Sequence, residues 1–98
     1  MAYSDIALIR NVSGLTTAEK IDADLTALIT IADKIIDDYT GQSWASGDSG
    51  YQQISLTSAL LVSWLASLSL AGGQDKAAAF KKAAYDILEG LLVRGKVV

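Results

Sequence analysis

Ile54-Ser55-Leu56-Thr57-Ser58-Ala59-Leu60-Leu61-Val62-Ser63-Trp64-Leu65-Ala66-Ser67-Leu68-Ser69-Leu70-Ala71 carries no charge, no Gly and no Pro. Leu56, Ala59, Leu60, Val62, Leu65, Ala66 and Leu70 share one broad helical face, and Leu61, Trp64 and Leu68 extend it round the cylinder. A helix that is apolar nearly all round belongs in the middle of a bundle, in a subunit interface or in a membrane. The interruptions are serines and one threonine, whose hydroxyls can bond back to a carbonyl one turn earlier. The stretch is long enough to span a bilayer. Its serines and its lack of flanking positive charge argue against a span. The reading is therefore a central bundle helix, on which the rest of the chain packs.

On the N-terminal side, residues 42–53 form a polar loop containing Gly and Ser, long for a small helical domain. Trp44 and Tyr51 in it have two readings: they fold back to cap the core, or they anchor a subunit contact, where Trp and Tyr are enriched. Before the loop, Leu25, Leu28, Ile29, Ala32, Ile35, Ile36 and Tyr39 recur at steps of three and one, a clean helical stripe. Asp22 is the expected N-cap of that helix and Gly41 its stop, with Asp33, Lys34, Asp37 and Asp38 off the stripe. Thr16 to Glu19 has the spacing of a capping box. Residues 4–13 predict a short helix, capped by Ser4 and ended by a left-handed Gly14.

Beyond the central helix, Gly72-Gly73 break the chain and Asp75 is placed to cap a last helix. Its apolar side is Ala77, Phe80, Ala84, Ile87, Leu88, Leu91 and Leu92. Gly90 inside it costs about 1 kcal/mol, so fraying is expected from there. Residues 94–98 read as a loose tail. The expectation is one all-α domain over 1–98: one short N-terminal helix and three longer ones, with 54–71 central.

Composition narrows the function. The 98 residues hold no Cys and no His, and 51% of them are apolar, high for a chain this small. The missing His removes the usual general base near neutral pH and the commonest metal ligand. Gly47-Asp48-Ser49-Gly50 has the residue types that surround a nucleophilic serine, but without His a Ser-His-Asp mechanism is excluded. Asp22/Asp24 and Asp37/Asp38 read as caps and a solvated face. No catalytic, metal or cofactor set emerges, and an enzyme is not expected. The N-terminus has no basic region leading into a hydrophobic run, so no secretory signal is expected.

Charge is unevenly spread. Residues 1–75 hold Arg10, Lys20 and Lys34 against nine acids, and residues 76–98 hold five basic residues against Asp86 and Glu89. The plain reading is helix-dipole and surface charge; the sharper one is a basic end that meets an acidic face of a neighbouring copy. Dispersed bases in an acidic chain do not make a nucleic-acid footprint. With the surplus of apolar surface, these features make Trp44, Tyr51, Leu61, Trp64, Leu68, Lys81, Lys82, Arg94 and Lys96 the candidate subunit or partner contacts.

Asp5-Ile6-Ala7-Leu8-Ile9, Gly14-Leu15-Thr16, Asp22-Ala23-Asp24-Leu25-Thr26-Ala27-Leu28-Ile29 and Ala32-Asp33-Lys34-Ile35-Ile36-Asp37-Asp38-Tyr39-Thr40-Gly41 form a pattern of small and apolar residues. With the variable loop, the Ala/Leu helix and the Ala/Lys/Leu last helix, it resembles the head–tail connector (adaptor) proteins of long-tailed bacteriophages and their prophages. The resemblance implies a helical subunit of the virion, assembled in the bacterial cytoplasm. Such subunits form a homo-oligomeric ring of about a dozen copies, closed by one repeated head-to-tail contact. It would dock beneath the portal protein, meet a tail or stopper protein, and pass DNA through its channel without reading its sequence. The other classes left open are a generic helical interaction module and a holin-like membrane protein resting on 54–71.

Overall fold

The structure is a computed structural model and describes residues 3–15, 20, 22–68, 70 and 73–93. It is all-α: helices α1 (Ile6–Ser13), α2 (Asp22–Thr40), α3 (Tyr51–Leu68) and α4 (Gln74–Val93). No strand occurs among the described residues. The Thr16–Glu19 capping box and the 94–98 tail, including Arg94 and Lys96, lie outside the described residues.

α3 is the central element. It touches each of the other three helices, while α1 and α4 do not meet. Ile54, Ala59, Leu61, Val62 and Ala66 of α3 have no exposed surface. Around them pack Ile9 of α1, Leu25, Ile29, Ala32 and Ile36 of α2, and Ala84, Leu88 and Leu91 of α4. No helix among the described residues is long and apolar enough to cross a membrane. The serines of α3 have inward roles instead: Ser63 Oγ donates to the Ala59 carbonyl at 2.8 Å, and Ser58 turns away to α2.

The helix ends differ from the sequence reading in instructive ways. α3 begins at Tyr51 rather than Ile54, so the loop is shorter than 42–53. Gln52 and Gln53 are good helix formers, and Tyr51 gains an edge-to-face contact with Tyr3 at 6.0 Å. α3 stops at Leu68. Leu70 N–H then bonds the Ser67 carbonyl and Gly73 N–H the Leu70 carbonyl, both at 3.1 Å, which turns the chain into α4. Gly73 is buried in this turn; a Cβ there would collide with the Ser67 carbonyl.

α1 is capped by Asp5, whose Oδ1 accepts from Leu8 N–H at 2.8 Å, and not by Ser4, whose hydroxyl is engaged with α3. Asp22 and Asp75 lie in the first turns of α2 and α4 rather than before them, where their charge still suits the positive helix end. Gly14 (φ 73°) and Gly41 (φ 75°) adopt the left-handed conformation that ends α1 and α2, one that costs L-residues with a Cβ more. α4 continues through Gly90 to Val93.

Candidate functional site

The seven candidate residues that lie among the described residues do not form one surface. Leu61 is fully buried at the centre of the core and cannot meet a partner, because α2 and α4 close over it. Trp44 is also inside, 7% exposed. Its Nε1 donates to Thr40 Oγ1 at 3.1 Å and its backbone N–H to Tyr3 Oη at 2.9 Å, so it caps the core. Tyr51 is half-buried against Tyr3. Trp64 is half-buried, with the Lys81 ammonium 5.1 Å from its ring centroid. Lys82 is exposed and bonds Asp86 at 2.9 Å, one turn on, which raises its affinity for its proton. Leu68 alone among the apolar candidates is well exposed, at 48%.

Two features of α2 depart from the sequence reading. The first is polar. Asp37, expected on a solvated face, and Asp33, expected off the apolar stripe, are half-buried and hold down the chain before α1. Tyr3 N–H donates to Asp33 Oδ2 at 3.0 Å and Tyr3 Oη to Asp37 Oδ1 at 2.5 Å. Ser58 Oγ donates to Asp33 Oδ1 at 2.7 Å. A hydroxyl has one proton, so Ser4 must donate across the 2.7 Å Ser4–Ser58 contact. Burial pushes the Asp33 carboxyl up, against the opposing pull of the Ser58 and Tyr3 N–H bonds. Burial, then the Asp37 bond, push the Tyr3 phenol up to about 12. The partners lie 25 to 54 residues apart in the chain, and no local pattern reveals them.

The second feature is apolar. Leu28, Ile31, Ile35 and Tyr39 recur at steps of 3, 4 and 4 along α2, beside its buried stripe. Ile31 is 49% and Tyr39 37% exposed. At one end of the row Tyr39 packs edge-on against Tyr85 of α4 at 5.5 Å between ring centres. At the other end Leu28 and Leu65 share a depression of about 380 Å³ with Lys20, Asp24 and Ala27. Leu68 stands one turn beyond Leu65 on α3. The sequence places Leu28, Ile35 and Tyr39 in the buried stripe and gives Ile31 no role; the structure leaves Tyr39 and Ile31 exposed and Leu28 and Ile35 only partly buried.

A further depression of about 300 Å³ lies against Gln53, Asp86, Ile87, Gly90 and Leu91. Leu56, expected in the core, is 38% exposed one turn along α3 from Gln53. A polar hollow over the loop is lined by Gln42, Ser43, Trp44, Asp48 and Ser49. No group of three metal-ligating side chains occurs among the described residues. What the arrangement offers chemically is contact surface: aliphatic side chains rimmed by the ion pairs Lys34–Asp38 and Lys82–Asp86.

Comparison of the chain with protein-family models, with curated proteins and with solved structures finds no match.

Proposed function

We propose that this chain is a structural subunit of a phage virion, a head–tail connector that assembles as a ring between portal and tail around the DNA channel. The observation that carries the reading is the group of large apolar side chains left exposed on so small a bundle, Ile31 and Tyr39 of α2 and Leu56 and Leu68 of α3. Isolated exposed aliphatics are ordinary on a soluble domain; a group of them marks a contact surface. The small-and-apolar pattern of residues 5–41 supplies the connector assignment, and the acidic front and basic end of the sequence suit a repeated contact between copies. The acidic balance also suits a channel wall along which a duplex slides without being held.

The test is negative-stain imaging of the purified chain, alone and mixed with portal rings from long-tailed phages. Closed rings, free or stacked on a portal, are the expected result. A chain that forms rings in neither setting is an interaction module of another kind, and the connector reading falls.

A further inference from the structure

α1 is attached to the rest of the chain differently from the other helices. It has eight residues, too few to hold a helix alone in water. It meets α3 and α2 but not α4, whereas α3 packs on both α2 and α4. Of its apolar side chains only Ile9 is fully buried; Ile6, Leu8 and Val12 are partly so. Its remaining long-range attachments are polar and lie at its two ends. Just before the helix, Tyr3 N–H and Oη donate to Asp33 and Asp37 of α2, Tyr3 Oη accepts from Trp44 N–H, and Ser4 Oγ donates to Ser58 of α3. At the other end the Arg10 guanidinium donates to the Lys20 carbonyl and to the Asp22 carboxylate at the start of α2, and Gly14 turns the chain in a left-handed conformation.

We propose that residues 3–13 are a strap that detaches and melts as one unit while α2, α3 and α4 stay folded, with Tyr3 and Ser4 as its latch and the chain at Gly14 as its hinge. Water replaces the latch bonds on release, so they set the strap's register while adding little to the net cost of opening. Off its seat, a helix of two turns does not persist, and the entropy of melting favours the open form. The rest of the core does not depend on α1: Leu25 and Ile36 of α2, Leu61 and Val62 of α3 and Leu88 of α4 have no exposed surface, and the contacts of α3 with α2 and α4 are direct. Release bares Asp33, Ser58 and the seat of Ile9 without dismantling the bundle. The strap is thus an order–disorder device that keeps one side of the bundle closed until it lets go. It does not depend on the connector assignment.

Hydrogen–deuterium exchange of the full-length chain tests this, read by mass spectrometry on peptides from α1 and α3 at micromolar concentration. In wild type, α1 should exchange as one group, at least about 100-fold faster than α3 after correction for intrinsic rates. Leu88→Ala then separates the two openings, because Leu88 is fully buried on α4, which α1 does not touch. The expected result is that α3 exchange speeds up about 30-fold or more while α1 exchange is unchanged. Equal acceleration of both would mean that α1 opens only with the whole chain, and overturns the strap. Ser4→Ala, which removes the contact to Ser58, should speed α1 exchange about 2- to 10-fold. Unchanged α1 exchange in that variant overturns the latch. Should Leu88→Ala fail to fold, wild type in rising sub-denaturing urea replaces it. There α3 exchange should climb with urea and α1 exchange stay nearly level, since releasing the strap exposes little surface. A parallel climb overturns the strap.

Discussion

The two flanks of α2 are built in opposite ways. On one, Asp33 and Asp37 are half-buried and fully engaged by Tyr3 and Ser58. On the other, Leu28, Ile31, Ile35 and Tyr39 form an apolar row that the rest of the chain covers only in part. Carboxylates turned inward and aliphatics turned outward invert the usual partition, and such inversions carry the information in a small domain. The polar flank fixes how the chain before α1, α2 and α3 align, since a half-satisfied buried network would be costly. The apolar flank is used only in part within the chain: Leu28 and Ile35 pack on the core and Tyr39 on Tyr85, while Ile31 stays half exposed.

Ile36→Ala, on the buried stripe between the flanks, sets the scale: a loss of about 2–5 kcal/mol of folding stability in urea unfolding. Asp33→Ala comes next. It strips the acceptor from Ser58 Oγ and Tyr3 N–H, for an expected loss of about 1–3 kcal/mol measured the same way. A loss well below this would mean that the polar flank is no lock. Tyr3→Phe removes the bond to Asp37 and the acceptor for Trp44 N–H, and should cost about 1–2 kcal/mol near neutral pH. Ile31→Ser, on the open flank, should change the stability of the dissociated monomer by less than about 0.5 kcal/mol, because a half-exposed side chain loses little. A larger loss would place Ile31 in the core and dissolve the contrast.

Proton linkage gives the same comparison a pH axis. The native Tyr3 phenol is raised from its ordinary value of 10.0 to about 12, so the folded state holds that proton more tightly than the unfolded one. The stability this confers is complete below pH 10 and is lost as pH rises through about 12. Tyr3→Phe should abolish that alkaline loss. Asp33, raised above 3.8, has the same sign: its contribution is complete below 3.8 and declines as pH climbs through the higher native value. Asp33→Asn should flatten that decline in a series of urea titrations between pH 3 and 7.

The reach of the sequence followed the range of the interactions. The all-α class, the central place of α3 and the stops at Gly14 and Gly41 depend on local spacing and backbone preference, and were legible. The start of α3 moved by three residues, to Tyr51, which is held by Tyr3, far away in sequence. Leu61 and Leu68 looked alike on a helix that is apolar on nearly every side. Only the placement of α2 and α4 decides that one is sealed and the other open. The Asp33–Tyr3 lock was invisible, since carboxylates on a helix ordinarily face water. Trp44 was read as a cap or an anchor, and its bonds to Thr40 and Tyr3 make it a cap.

The most direct test of the account is the mass of wild type by light scattering as concentration is raised from micromolar to about 1 mM. If α2's apolar flank is a contact between copies, the mass climbs from the 10.3 kDa of one chain toward a large closed species, and Ile31→Asp holds it at one chain. A mass of 10.3 kDa at every concentration, with no assembly on added portal rings, would contradict it.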